Sequence, residues 1–147
     1  MLSGYVLGAV ALVGAALQCL FAYREIAGWN VGFVAKAAPA WVDQLPGEKV
    51  PPDVREHVHW ARHLAFNMGV YNLVLALGLA WVLVAGSAVA GTLGIFLAVW
   101  LLIAAAAAAR SGVPLAFKAQ GGLGVVLMIA SIWAWRDWLA TVPPTVG

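Results

Sequence analysis

Four stretches of this chain are long and apolar enough to cross a lipid bilayer, and they constrain the fold more than any other feature of the sequence. A membrane-spanning helix needs about 20 apolar residues in a row. In hydrocarbon a chain must satisfy its own backbone hydrogen bonds, so each stretch is expected to be helical. The first stretch is too long, and lacks the positive start, for a cleaved signal peptide, so we expect it to stay in the protein. The predicted spans are residues 2–23, 64–84, 88–109 and 114–135.

These spans predict an all-α fold, an integral membrane four-helix bundle that forms a single domain over residues 1–147. Hydrophobic residues make up 64% of the chain and charged residues only 10%, whereas soluble domains average about 45–50% and about 25%. A small chain cannot hide that much apolar surface from water. The composition therefore excludes an ordinary soluble domain, a disordered chain and a nucleic-acid-binding protein, and it indicates membrane lipid as the main surrounding partner.

The long connection between the first two spans, residues 24–63, carries most of the positive charge. Because Lys and Arg collect on the cytoplasmic side, we predict an inner-membrane protein with connections 24–63 and 110–118 in the cytoplasm and both termini outside. Asp53 and Glu56 form a capping-box-like pair, which favours a second helix that starts near Val54. The connection between the first two helices is therefore 30 to 40 residues long, and its segment 30–52 is a candidate lid. The basic residues of the two connections are Arg24, Lys36, Lys49, Arg55, Arg62, Arg110 and Lys118.

One face of the first span is a seam of small residues that ends in two polar ones. Small residues let membrane helices approach closely, and polar residues are expected to point inward. The Gly4-x-x-x-Gly8 end favours helix packing, either inside the bundle or between copies in a homo-oligomer. The Glu25 end leaves two interpretations open, an ion pair with a nearby Arg or Lys, or a proton donor and acceptor. The seam consists of Gly4, Gly8, Ala11, Ala15, Gln18, Ala22 and Glu25.

The second span has its own polar stripe, with Asn72 beside it. Helical spacing places the members of the stripe on one face. Together with Gln120 of the fourth span they predict a polar pocket near the cytoplasmic surface. The alternative is that Asn67, Asn72 and Gln120 only form hydrogen bonds between helices, and that Tyr71 is a core residue. The stripe runs through Glu56, His59, His63, Asn67, Tyr71, Val74 and Gly78.

The histidines before the second span have spacing similar to that of metal ligands. Glu56-x-x-His59 with His63 one turn later would supply part of a site, but a site needs three or four ligands. The sequence contains no second Glu-x-x-His and has a single cysteine. We therefore predict no metal and no cofactor, while metal or haem binding at His57, His59 or His63 stays open.

The start of the second span resembles a family of small bacterial membrane proteins named domain of unknown function 1304. The resemblance rests on L-A-F-N-M-G-V-Y-N at 64–72 and L-A-L-G-L-A-W at 75–81, where the family has A-A-N-Q-G-L-Y-N and L-A-A-G-L-x-W. Glu25 with Trp29, and Gln120-Gly121, are similar to features of its first and last helices. Met68 replaces a family glutamine, and the family's basic stretch after the first helix is missing. The resemblance implies the four-helix fold and the polar positions, and no reaction.

The first functional hypothesis is a membrane enzyme acting on an apolar substrate, such as a lipid, isoprenoid or polyketide. Glu25, His63 and Tyr71 are the candidate catalytic residues, because a carboxylate partly removed from water beside a histidine suits general acid–base chemistry such as isomerisation, cyclisation or epoxide opening. The candidate substrate-binding residues, which would orient the substrate or hold developing charge, are Gln18, Asn67, Asn72 and Gln120.

Two other hypotheses use the same residues differently. In the second hypothesis the chain is a small-molecule binding or transport module, or a subunit of a membrane complex, because four short spans enclose little space on their own. In a purely structural protein, the polar residues would join helices. Continuous polar lining across the membrane would indicate transport, but the outer halves of the spans are rich in Gly, Ala, Leu and Val. That distribution favours a closed pocket, and hence an enzyme or a binder.

Overall fold

The computed structural model describes residues 2–29, 54–110 and 114–142, with residues 54–60 and 114–115 described by their helical backbone alone. These residues form four helices, which we number in chain order. Each helix contains the span predicted for it, and the all-α four-helix bundle is confirmed. The candidate lid, residues 30–52, lies outside the described residues. The helices are α1 (Leu2–Ile26), α2 (Val54–Val84), α3 (Ser87–Arg110) and α4 (Pro114–Leu139).

The helices form an antiparallel ring in which each packs against its chain neighbours and α4 closes onto α1. Only Ala85 and Gly86 separate α2 from α3, and such a short link forces an antiparallel pair. The Ala85 amide completes the last turn of α2 by donating to the Trp81 carbonyl, and the Ala90 amide opens α3 by donating to the Gly86 carbonyl. The most extensive contacts join α1 to α2 and α3 to α4.

The core and the outer surface of the bundle are both apolar. Leu7, Leu79, Leu101 and Leu127 are fully buried and contribute one large side chain from each helix. Many other large apolar side chains are exposed around the bundle, as expected where lipid replaces water. Helices of this length and composition can cross a membrane, so the chain is a membrane protein. The exposed apolar residues include Leu12, Leu20, Leu77, Trp81, Phe96, Ile103 and Ile129.

Two glycines of α3 face α4 where the two helices lie close together. A Cβ atom added at Gly91 would lie 3.0 Å from the Trp135 Cβ and 3.2 Å from its Cα. At Gly94 the same atom would overlap the Ser131 hydroxyl. Dispersion and packing hold helices together in lipid, so this close approach contributes directly to stability.

We expect Gly91→Ala to destabilise the bundle by about 1–3 kcal/mol, because the new methyl group must push against the backbone of Trp135. The measurement is the free energy of unfolding in mixed micelles of SDS and a mild detergent, followed by circular dichroism. Gly122→Ala is the matched control, since a Cβ at Gly122 meets nothing within 4 Å, and we expect it to be neutral or stabilising by up to about 1 kcal/mol. Equal stabilities for the two variants would contradict this account.

Candidate functional site

A hydrogen bond between a carboxylate and an amide joins α1 to α2 inside the apolar bundle. The Asn72 side-chain amide donates to Oε2 of Glu25 at 2.6 Å. Glu25 lies in the last turn of α1 and is half-buried, whereas Asn72 is buried near the middle of α2. Hydrogen bonds to an ionised group are the stronger kind, so this contact orients the Glu25 side chain.

Gly69 brings the two helices close enough for this contact. A Cβ atom added at Gly69 would lie 2.5 Å from Ile26 Cγ1 and 3.2 Å from the Ala22 carbonyl oxygen. Only a residue without a side chain leaves room for α1 at this point. Asn72 lies three residues after Gly69 and therefore on the same face of α2. The close approach at Gly69 thus presents Asn72 to Glu25.

The described partner of Glu25 is an amide, and Oε1 is left without a described hydrogen bond. The predicted ion-pair partners of Glu25 were Arg24, Arg62 and Lys118, and all three are exposed. Within residues 2–29, 54–110 and 114–142, none of them forms a salt bridge with the carboxylate. An ionisable group inside a membrane bundle without a cation beside it is a candidate functional group.

Gln18 adds a second polar group to the same face of α1. The residue is fully buried, and neither Nε2 nor Oε1 has a hydrogen-bond partner among the described residues. Gln18 precedes Glu25 by two helical turns, which places its backbone about 10 Å further along the helix axis. An unpaired amide in an apolar interior is unfavourable, so Gln18 would bind a polar group that reached it.

Gln120 of α4 lies at a similar depth in the bundle. Helices α1 and α4 are antiparallel, with Ser3 hydrogen-bonded to Asp137 and the Gly14 position against Leu123. Gln18 and Gln120 therefore lie at about the same depth, and Gln120 is also buried. Of the predicted site residues, Glu25, Asn72, Gln18 and Gln120 are thus the buried or half-buried ones, on three helices.

A comparison with protein families covers the part of this site that lies on α2. The family model described as "Protein of unknown function (DUF1304)" matches residues 48–132, more than half of the chain. The chain belongs to the DUF1304 family. Comparisons with curated proteins and with solved structures found no match. The DUF1304 match includes Gly69, Asn72 and Gln120, whereas Gln18 and Glu25 lie before it.

The structure does not bring His63, Asn67 and Tyr71 to this site. We expected the stripe that contains them to point inward, but all three side chains are exposed, Tyr71 by 61%. The reason is the close packing of α2 on α1 at Gly69. Asn67 and Gly69 are two residues apart, which on a helix is more than half a turn. With Gly69 against α1, the His63, Asn67 and Tyr71 side chains of this DUF1304 protein face outward.

The histidine cluster cannot be assembled from the described side chains. Glu56, His57 and His59 lie where the structure describes only the backbone. Among the side chains that are described, no group of three or more His, Cys, Asp and Glu residues could hold a metal ion. The prediction that this DUF1304 protein has no metal and no cofactor therefore stays a prediction.

Two polar residues at the other end of the bundle were missed by the sequence analysis. The Ser3 hydroxyl donates a short hydrogen bond to Oδ2 of Asp137. Ser3 is buried and Asp137 is half-buried. We expected the outer halves of the spans to be apolar. The up-down order of the helices was the available signal, because it brings the start of α1 and the end of α4 to the same end.

Proposed function

We propose that this DUF1304 protein is a membrane-embedded enzyme that isomerises an apolar substrate by general acid–base catalysis at Glu25. The observation that carries the proposal is the 2.6 Å hydrogen bond from Asn72 to Glu25. It orients a half-buried carboxylate inside an apolar bundle without neutralising it. A positioned carboxylate is one of the common general acids and bases of enzymes.

In this proposal the two carboxylate oxygens have different tasks. Asn72 holds Oε2, so Oε1 is the atom that takes a proton from a carbon next to a double bond or carbonyl group. The carboxyl proton then exchanges with water, and the same oxygen gives a proton to another carbon of the substrate, so that the double bond moves between the two carbons. Substrate and product are isomers, so the step balances without any co-reactant. Cyclisation or epoxide opening would use the same carboxyl group as the acid.

The position of Gln18 favours an elongated substrate. Its unpaired amide can both donate to and accept from a carbonyl or hydroxyl group. Because its backbone is about 10 Å from that of Glu25 along α1, a molecule that meets both residues must be a chain and not a small compact solute. This favours a lipid, isoprenoid or polyketide. Asn72 acts as a positioning residue, and we assign no role to the exposed His63, Asn67 and Tyr71.

The charge pattern supports a site on the cytoplasmic side of the inner membrane. Arg24, Arg62 and Arg110 lie at the end of the bundle that contains Glu25, and positive residues mark the cytoplasmic side. Membrane lipid and an apolar small molecule are the proposed partners. A homo-oligomer through Gly4 and Gly8 stays a prediction.

Proton transfer to carbon can be tested without knowing the substrate. The purified full-length protein, in vesicles made from the total lipid extract of its expression host, is incubated in D₂O. Mass spectrometry of the extracted lipids then detects deuterium that has become attached to carbon. We expect one lipid class to gain deuterium in the presence of protein and none to do so in vesicles alone. No protein-dependent label over the host's lipids would overturn the proposal, and would favour a binding module or complex subunit.

A further inference from the structure

A cavity of about 730 Å³ lies at the end of the bundle opposite to Glu25. Such a volume is in the range of about 300–1,000 Å³ that small-molecule sites occupy. Residues from all four helices, together with the turns at Ala85 and Thr141, line the cavity. Gly4 and Gly8 form part of its wall. A Cβ atom added at Gly4 would meet nothing within 4 Å, and one added at Gly8 would meet Leu83 at 3.7 Å. The seam that predicted helix packing therefore borders open space at this end.

One end of the cavity is polar and carries a negative charge. Among the described residues that line the cavity, Asp137 is the one with a formal charge, and none is basic. Ser3 donates to Oδ2 of Asp137, which orients the carboxylate and leaves Oδ1 without a described partner. Tyr5 and Trp138 also line the cavity, and aromatic faces attract ammonium groups.

The rest of the cavity wall is apolar and reaches into the bilayer region. Leu12 is the lining residue of α1 furthest from Ser3, and nine helical residues correspond to about 14 Å. Leu12 and Leu83 line the cavity from α1 and α2 and are also exposed. The cavity is therefore open toward lipid between these helices, with its charged end near the helix termini.

We propose that this cavity binds an amphiphile with an alkyl chain and a cationic ammonium head, with the head at Asp137 and the chain along Gly4, Gly8 and Leu12. A carboxylate beside aromatic rings attracts a cation and repels an anionic head. The polar end at the helix termini matches the depth of a lipid head, and the apolar wall matches its chain. This site is independent of the proposed catalysis, because it lies at the other end of α1 and shares no residue with Glu25, Asn72 or Gln18.

The test compares probes that share one chain and differ in the head. Decyltrimethylammonium and decyl sulfate are titrated into the full-length protein in dodecyl maltoside, and binding is measured by calorimetry. We expect the cationic probe to bind the wild type at least tenfold more tightly, a difference of about 1.4 kcal/mol. Asp137→Asn should remove this difference. Gly4→Leu, which fills the cavity, should lower the affinity for the cationic probe at least tenfold.

Gly122→Leu is the matched control, because Gly122 also has no atom within 4 Å of an added Cβ and does not line this cavity. We expect it to bind both probes like the wild type. Equal affinity for the two heads, a head preference that survives Asp137→Asn, or unchanged binding in Gly4→Leu would each overturn the proposal. If Asp137→Asn does not fold, the head preference of the wild type and the probe affinity of Gly4→Leu still test the proposal. A wild-type dimer that Gly4→Leu disrupts, with no probe bound, would instead show that a second copy covers the cavity.

Discussion

Replacing Glu25 by glutamine is expected to lower the rate of deuterium transfer to lipid by a factor of about 10²–10⁴, the usual contribution of a general acid or base. The substitution keeps the size of the side chain and an oxygen that can accept the hydrogen bond from Asn72. It removes the ability to take up and release a proton. The bundle should therefore fold as before while proton transfer is lost. The measurement is the initial rate of label incorporation in D₂O at equal amounts of folded protein.

Asp137→Asn is the control for this experiment, since it also replaces a carboxylate by an amide but lies at the opposite end of the bundle, outside the proposed catalytic site. We expect its rate to equal that of the wild type. Glu25→Asp keeps the carboxylate but withdraws it by one methylene, and it should retain a small, measurable rate. A Glu25→Gln variant that transfers deuterium as fast as the wild type would exclude the acid–base role of Glu25, even if the lipid label itself is real.

The bundle could be predicted because hydrocarbon leaves a chain few alternatives. Apolar runs of this length must be helical, and a two-residue link between α2 and α3 makes them antiparallel. The inward face of α1 could also be predicted, because its small residues recur on the face that holds Gln18 and Glu25. Gln18 and Ala22 are buried and Glu25 is half-buried. From Ala11 to Glu25 the small residues and the polar residues mark the same face of α1, whereas Gly4 and Gly8 border the cavity.

Helix α2 presents two faces that both look functional in the sequence. One carries His63, Asn67 and Tyr71, and the other carries Gly69 and Asn72. Polarity alone favoured the first face. Small residues were the better guide, because packing in lipid depends on how closely helices approach. Gly69 lies against Ile26 and Ala22, and this contact turns the histidine face outward.

The Ser3–Asp137 contact could not be predicted from local sequence, because 134 positions separate the two residues. Neither residue belongs to a motif, and each lies near the end of an apolar span. Their contact depends on how α4 closes onto α1, which the spans alone do not specify. The cavity has the same origin, since it forms where Gly4 and Gly8 leave space beside Leu83.

Replacing Gln18 by methionine is expected to stabilise the bundle and to impair catalysis at the same time. Gln18 is fully buried, and both of its amide atoms lack a hydrogen-bond partner in the part of the chain that the structure describes. Removing an unsatisfied buried polar group is worth about 1–3 kcal/mol. Methionine has a similar length and no strong polar atom. If Gln18 serves only packing, its amide has no compensating benefit. If it binds the polar group of the substrate, the more stable variant should transfer deuterium at least about tenfold more slowly, the effect of losing one such hydrogen bond.

Ser131→Ala separates these two effects. The Ser131 hydroxyl is also fully buried and without a partner among the described residues, but it faces Gly94 of α3 and has no part in the proposed site. We expect this variant to be at least as stable as the wild type in SDS unfolding, with an unchanged rate of label transfer. Faster or unchanged transfer in Gln18→Met would remove Gln18 from the site while leaving Glu25 in it. A gain in stability coupled to a loss of turnover, at Gln18 and not at Ser131, is what distinguishes an amide kept for substrate from one that merely fills space.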